Sequence, residues 1–420
     1  MDARDFKFMA ESLPALTDLD ISGVTIEEYS DKQPLAANYT YYPANELPKY
    51  MLMGARLASV ALPSTLASIG EGAFAGCDEL QTVAIPATVT TIGSYAFSGA
   101  VKLATVTGGE EVETIGDYAF SHDVALTAVA EMPRLKSIGA YAFLETEQLT
   151  AYRFPASLST VGEGAFRLGG LTKADLSGCN SLEVIGAWAF ADNTSMTELS
   201  LPSSLTTVGD GAFFYSTALR RVALPSGLVR INDYAFMGGK AMTEAELPEG
   251  LKEIGDYAFN DWSAMAKFVI PSTVESIGTG AMRNWTGLTE LTCNAVTPPA
   301  LGESVWENVD YDKADLHVPE ASETAYRMAE QWREFFKSSS AQAPTTDDVR
   351  VAVEGNVLTI TSTNVITAVQ VVDLSGVTLK TAAPADNSVS IDMSGLGGQV
   401  YVVRCVLEGG RERIFKISRH

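Results

Sequence analysis

Along residues 57–288 the apolar positions recur with a period far longer than the 3.6 residues of a helix or the 2 of a strand, which is the mark of stacked repeats. Ala-Phe dipeptides end at Phe74, Phe97, Phe120, Phe143, Phe166, Phe190, Phe213, Phe236 and Phe259, with Met282 in the tenth place, so the period is 23 residues with one step of 24. A second marker keeps step with the first: Ile69-Gly70, Ile92-Gly93, Ile115-Gly116, Ile138-Gly139, Val161-Gly162, Ile185-Gly186, Val208-Gly209, Ile231-Asn232, Ile254-Gly255 and Ile277-Gly278. Within one unit, Leu80, Val83 and Ile85 have the spacing of inward positions on a strand, and Pro86 then removes a backbone donor and ends it. Val89 and Ile92 supply two further inward positions. Gly93 is expected to accept a backbone geometry that other residues resist. The acid that often follows that glycine (Glu71, Asp117, Asp210, Asp233, Asp256) is expected to N-cap a short helical turn carrying Ala-Phe.

A single unit cannot bury its apolar face, so stacking is obligatory and the ends need caps. At the N-terminal end Phe6 to Leu13 reads as a short helix, and Leu16 to Ile21 repeats the strand spacing before an irregular stretch to Lys49. At the other end Ser322 can cap a helix running to about Lys337, with Ala325, Met328, Ala329, Trp332, Phe335 and Phe336 on one face. The stretch 338–348 has linker composition, and beyond it the period drops to 2. Seven short strands are expected there, at about 349–354, 356–362, 367–373, 376–382, 387–393, 399–407 and 411–418, with turns at Glu354-Gly-Asn356, Ser375-Gly376, Asp386-Asn387 and Gly409-Gly410. The predicted organisation is therefore an N-terminal cap (1–56), ten repeats (57–288), a C-terminal cap (289–337), a linker (338–348) and a small all-β sandwich (349–420). The fold class is an α/β repeat solenoid plus that sandwich.

The repeat pattern L-x-x-V-x-L-P-x-x-L-x-x-I-G-x-x-A-F across 57–288 resembles the BspA-like leucine-rich repeats of bacterial surface proteins. Departures are Asn232 for the glycine, Met282 for the phenylalanine, and residues 103–131, which lack the Leu-Pro step. The segments Val296 to Leu301 and Leu316 to Pro319, with Tyr326, Trp332 and Phe335, look like that family's closing element. The tail, with Val371-Val-Asp-Leu-Ser-Gly376, Ile391-Asp-Met-Ser-Gly-Leu396, Val400-Tyr-Val-Val403 and Lys416-Ile417, resembles a type IX secretion sorting domain without its usual opening Asn-Pro. A permanent immunoglobulin-like stalk or partner domain is the alternative. The resemblance implies an extracellular or outer-surface location and adhesion to host or neighbouring-cell proteins.

Charge narrows the partners. Residues 349–420 carry seven Lys/Arg against six Asp/Glu, which leaves residues 1–348 with 22 bases and 46 acids, so nearly all of the net −23 lies in the repeats and caps. That balance argues against nucleic acid, which needs a basic face. No apolar run reaches the roughly 18 to 20 residues needed to cross a bilayer. The opening MDARDFKFMA lacks the basic and apolar regions of a signal peptide, so an exported chain would have lost its leader. Cys77, Cys179, Cys293 and Cys405 are single and far apart; no disulfide is expected, and the compartment is left open by them.

Catalysis needs converging acid, base and nucleophile groups. His122, His317 and His420 are each alone in sequence, no HExxH, GxSxG or P-loop occurs, and no cofactor or metal is expected. Asp310-Tyr-Asp312 with Asp315 faintly suggests a calcium loop but lacks the glycine, and a solvated acidic turn is the simpler reading. A binding surface is easier to place. The third and fifth strand positions should face the concave side: Ser59, Ala61, Thr82, Ala84, Thr105, Thr107, Ala128 and Ala130 are small and uncharged, whereas Arg153, Lys173, Asp175, Glu198, Arg221, Glu244, Glu246, Lys267 and Glu290 form a mixed-charge half. These charges either meet a protein partner or satisfy one another between turns. Aromatics two places before the repeat Phe (Tyr95, Tyr118, Tyr141, Trp188, Tyr234, Tyr257) and Tyr39, Tyr41 and Tyr42 either pack between turns or offer platforms to a sugar. Asn38, Asn193 and Asn284 open formal glycosylation sequons. The function expected is a non-enzymatic protein-binding array, with a glycan-binding module or a structural spacer as alternatives.

Overall fold

The computed structural model describes residues 1–336, 349–373, 377–397 and 400–418. The predicted linker 338–348, the turn at Ser375-Gly376, the end of the closing helix at Lys337, and His420 lie outside the described residues. The chain divides into two compact units, Met1–Ser340 and Ala341–His420.

The first unit is a solenoid of about 12 turns with a period of about 23 residues. Successive turns meet along three ladders, of which the one built from the longer strands is broken into five short sheets. The longer strands, such as Thr82–Ile85 and Thr105–Gly108, pair in parallel and in register, with Val83 opposite Val106. The two-residue strands that precede each repeat glycine, such as Thr91–Ile92 and Thr114–Ile115, line up in an eight-stranded and then a four-stranded parallel sheet. The third ladder runs through the Ala-Phe segment, which is a chain of tight turns and not the helical turn that the pattern predicts. Tyr95, Phe97 and Gly99 donate their N–H groups to the Asp117, Ala119 and Ser121 carbonyls of the following turn, each at 2.8 Å. Left-handed conformations at Tyr95 (φ 57°) and Gly99 (φ 75°) interrupt the right-handed turns, so donors at alternate positions face the same neighbour. Helix formation would have spent those N–H groups within the turn.

This geometry corrects two expectations. The repeat glycine is needed for closeness and not for an unusual φ: a Cβ on Gly93 would stand 2.8 Å from both the Glu71 nitrogen and the Ile69 oxygen of the preceding turn, and one on Gly116 2.5 Å from the Ser94 nitrogen. The left-handed site lies two places on, where the aromatic or glycine sits. The acid after the glycine caps the neighbouring turn, not its own: the Asp117 carboxylate accepts from Ala140 N–H at 2.7 Å, and Asp256 from Thr279 N–H at 2.7 Å.

The core is one continuous column. Phe74 to Phe259 stack turn upon turn with ring centroids 4.9 to 6.1 Å apart, and none is more than 2% exposed. Both caps extend the ladders. The N-terminal helix spans Ala3–Ser12, closed by a capping box between Asp2 and Asp5, and it buries Phe6. Asp18–Asp20 pairs with Ser59–Ala61, and Glu46–Leu47 with Ser68–Ile69. At the far end Ala300–Leu301 and Asp315–His317 continue the two sheets. The closing helix is shorter than predicted: Glu323–Met328 is α-helical, Ala329 is extended, and Trp332–Phe336 is a 3-10 turn. The break swings Trp332 and Phe335 onto Trp306, with centroids 5.3 Å away in each case, and leaves Met328 77% exposed. The helix buries Tyr326 instead, so Ala325 and Met328 of the predicted apolar face are both exposed.

The second unit is a six-stranded antiparallel sheet. The predicted strands 356–362 and 367–373 are two halves of one strand, Val357–Val372. One half pairs with Arg350–Glu354 and Asp386–Asp392, the other with Thr378–Ala382 and Val400–Leu407. A register shift between Ile366 and Ala368 changes which residues point inward, from Leu358, Ile360 and Ile366 to Val369 and Val371. Both halves thereby face one core.

Candidate binding face

The exposed residues of the longer strands fall where the strand spacing predicts. In Thr82–Ile85 Val83 and Ile85 are buried while Thr82 and Ala84 are exposed, and in Arg221–Ala223 only Val222 is buried. Lys173, Asp175, Glu198, Arg221, Glu244, Glu246, Lys267 and Glu290 all occupy such outward positions, half-buried only at Glu290. Arg153 is exposed too, but its turn forms no strand.

Two-thirds of these charges meet each other or a neighbouring turn. Lys267 reaches Glu290 at 2.7 Å, Lys173 reaches Glu198 at 3.3 Å and Asp175 at 3.6 Å, and Arg153 reaches Glu131 at 2.7 Å. Hydrogen bonding to Glu131 raises the Arg153 pKa and bonding to Glu198 raises that of Lys173, while Lys267 lowers that of Glu290. Solvent screens pairs this exposed, so they add little to stability. Among the described residues Arg221, Glu244 and Glu246 make no ion pair, although Arg221 lies opposite Glu244 and Ala223 opposite Glu246 in the sheet.

One interruption of this face was not expected. In the fifth turn the inward strand positions are Tyr152 and Phe154, where neighbouring turns have residues such as Val106 and Val129 or Ala174 and Leu176. The two rings pack on Phe143, Phe166 and Phe190 with centroids 5.2 to 6.0 Å away. Residues 151–155 form no strand, whereas Phe268, at the position of Tyr152 in a later turn, lies within a paired strand. The two other ladders pass this point unbroken: Ser137–Ile138 pairs with Thr160–Val161, and Phe143 N–H donates to Ala165 O at 2.7 Å. The result is an open groove of about 650 Å³, floored by Val129, Tyr152 and Phe154 and rimmed by Arg153, Lys173 and Asp175. The aromatic pair was the available sequence signal, together with Gly169-Gly170 in the next turn, where a Cβ on Gly170 would fall 1.9 Å from the Glu147 carbonyl oxygen.

The aromatic ladder packs between turns. Tyr95, Tyr118 and Tyr141 stack with centroids 4.9 and 5.0 Å apart, and the rings of Tyr141, Trp188 and Tyr257 cover Gly164, Gly211 and Gly280 of the next turn. In the N-terminal loop Tyr42 is buried, and Tyr39 and Tyr50 both donate to the Glu71 carboxylate. Burial pushes the Glu71 pKa up, but those two hydroxyls and Lys49 outweigh it and hold the carboxyl low. Tyr41 is exposed and donates to Glu28. Asn193 is fully buried, its side chain bonded to the backbone, so it is no acceptor for a glycan in the folded state.

Two of the remaining candidate groups have local partners. His122 meets Glu145 at 2.8 Å, and the Asp310 carboxylate is taken by Lys313 at 2.5 Å and by the Asp312 N–H. Burial pushes the Cys77 thiol up to about 12 and the Cys179 thiol to about 11, and all four cysteines are buried. Among the described residues no cluster of three or more His, Cys, Asp or Glu side chains is arranged to hold a metal ion, and no helix is long and apolar enough to cross a membrane.

Three bacterial proteins of known structure are similar in outline. A leucine-rich repeat protein from Bacteroides ovatus is 21% identical, with 77% of this chain and 90% of that one covered and a TM-score of 0.47. A leucine-rich cell surface protein from Faecalibacterium prausnitzii is 18% identical over 74% and 90% of the two chains, with a TM-score of 0.42. The pneumococcal vaccine antigen PcpA is 18% identical over 73% and 79%, with a TM-score of 0.38. No curated protein gives a match. The description "BspA type Leucine rich repeat region (6 copies)" matches residues 45–173 and 168–289, the same stretch that carries the three ladders and the phenylalanine column. That stretch is more than half of the sequence, and the chain belongs to the BspA-type leucine-rich repeat family.

Proposed function

We propose that this is a non-enzymatic binding protein of the cell surface or its surroundings, which holds another protein against the exposed face of its longer strands. Protein binding and surface location are what the family resemblance implies, and the C-terminal sheet would serve as a sorting domain or a permanent stalk. The observation that carries the reading is the trio Arg221, Glu244 and Glu246: exposed, adjacent in the sheet and unpaired among the described residues. An array that merely neutralised its own charges would pair them as Lys267 and Glu290 are paired. The sugar-binding alternative has less support, because the faces of Tyr95, Tyr118 and Tyr141 are covered by one another.

The test is a panel of immobilised extracellular matrix proteins beside a glycan array. Arg221→Glu should weaken capture of the bound protein about tenfold or more, equivalent to ~1.4 kcal/mol, with thermal unfolding little changed because the side chain is exposed. Undiminished affinity in that variant removes this reading, and saturable binding to sugars with none to proteins replaces it.

A further inference from the structure

We propose that the groove at the fifth turn is a docking slot for an extended peptide segment of the protein partner, which enters the interrupted sheet as a strand and lays an apolar side chain on Val129, Tyr152 and Phe154. The proposal rests on the protein-binding reading above and gives it a specific site. The main-chain groups of the groove carry it. Among the described residues the N–H groups of Ala151, Tyr152, Arg153 and Phe154 donate to nothing. In the intact ladder Ala130 N–H donates to Val106 O at 2.8 Å. The equivalent bond one turn later would run from Arg153 N–H to Val129 O, and it is not made. On the other side the Tyr152 carbonyl receives nothing from Asp175, although Thr172 N–H still reaches Thr150 O at 3.0 Å. The slot thus presents unused donors and acceptors on both walls above an apolar floor. The ladder also lapses between Ser59–Ala61 and Thr82–Ile85, between Glu198–Ser200 and Arg221–Ala223, and between Glu244–Glu246 and Lys267–Ile270, but both sides keep strand geometry there, whereas residues 151–155 do not.

The rim charges do not choose the ligand. Arg153 is occupied by Glu131, Lys173 by Glu198, and the Asp175 carboxylate by Ser177 at 2.6 Å. What remains free is peptide-like hydrogen-bonding capacity, and an extended polypeptide is the ligand class whose backbone alternates donors and acceptors at the matching spacing.

The full chain is tested against a displayed library of random linear peptides and a glycan array, with two variants. Ala151→Trp occludes the slot from an exposed position outside any strand, and Tyr152→Val/Phe154→Leu restores inward residues of ordinary size so that the ladder can close. Peptides selected on the unaltered chain should bind both variants about tenfold or more weakly, should slow amide exchange at residues 150–154, and should bind Arg221→Glu normally. Equal binding to Ala151→Trp overturns the slot, as does the absence of any selected peptide. Sugar binding that Ala151→Trp abolishes would reassign the slot and overturn the peptide. A captured protein that is lost in Arg221→Glu but kept in Ala151→Trp removes the slot and leaves the binding face standing.

Discussion

Phe120→Ala is expected to destabilise the repeat array by about 3–5 kcal/mol, the usual cost of truncating a fully buried phenylalanine. Phe120 is 0% exposed and lies 5.2 Å from both Phe97 and Phe143, so its removal opens a void between two neighbours instead of at one boundary. The surroundings cannot close that void. The backbone on the turn side is held at fixed spacing by Phe97 N–H to Ala119 O and Phe120 N–H to Ala142 O, each 2.8 Å. Because each turn touches only its neighbours, the loss should first appear as faster amide exchange in the flanking turns, before global unfolding. Phe74→Ala, at the end of the same stack, should cost less by roughly one aromatic contact, about 0.5–1.5 kcal/mol. The exposed Phe8, changed to Ala, should move stability by no more than about 0.5 kcal/mol. Chemical denaturation of the three variants checks the order, and a Phe120→Ala loss as small as that of Phe8→Ala would mean that the column does not hold the turns together.

The phenylalanine column was legible because its physics is periodic. A residue that must meet its own copy in the next turn repeats at the turn length, and Phe97, Phe120 and Phe143 do so without exception. The Ile-Gly step was equally visible, yet its reason was not. Sequence offers no way to tell a glycine that needs a positive φ from one that needs closeness, and Gly93 proves to be the second kind. The same limit applies to the acids that follow it. Asp117 looks like a cap for its own segment, but its acceptor serves Ala140, which is 23 residues away in sequence and adjacent in space.

The candidate face was legible as a set of positions and illegible as a set of contacts. Alternation along each strand places Lys173, Glu198, Lys267 and Glu290 outward, but which charges meet depends on parallel register and side-chain reach. Lys267 and Glu290 pair, whereas Arg221 and Glu244, equally opposed in the sheet, do not. The groove was missed for a related reason. Tyr152 and Phe154 satisfy the apolar pattern, and an aromatic at that position does not by itself mark a lost strand, since Phe268 keeps its own. At the C-terminal cap, too, the apolar stripe from Ala325 to Phe336 is compatible with one helix, and packing on Trp306 decides for two pieces.

Asp123→Asn is expected to make the protein more stable at neutral pH by about 1–3 kcal/mol, the cost of a buried polar group left without its partner. The repeat supplies the comparison. Three residues after the repeat Phe, the side chain points into the core, and in later turns it donates to the Phe carbonyl of the turn before. Asn193 Nδ2 donates to Phe166 O at 2.7 Å and to Phe190 O at 3.0 Å, and Trp262 Nε1 donates to Phe236 O at 2.8 Å. Asp123 occupies the same position and is 0% exposed. Its Oδ1 accepts from Ala100 N–H at 2.8 Å, as Asn193 Oδ1 accepts from Leu171 N–H at 3.2 Å, but its Oδ2 is buried with no partner among the described residues. By register Oδ2 stands where Asn193 has a donor, so an ionised Asp123 would turn a negative oxygen toward backbone carbonyls. Burial accordingly pushes its carboxyl well above the usual range, against the opposing pull of the Ala100 and Gly99 amides. The sign follows from proton binding: the unfolded chain releases this proton near pH ~3.9 while the folded chain keeps it, so stability falls as the pH rises above that value and levels off beyond the folded pKa. Asparagine supplies at every pH the donor that the carboxyl has only when protonated, and it does not titrate. The gain should therefore be full at neutral pH and shrink as the pH approaches the ordinary carboxyl range, as read from denaturation midpoints of the two proteins across a pH series. A variant less stable than the parent at neutral pH, or a gain that stays constant on acidification, would show that the Asp123 carboxyl is satisfied as it stands.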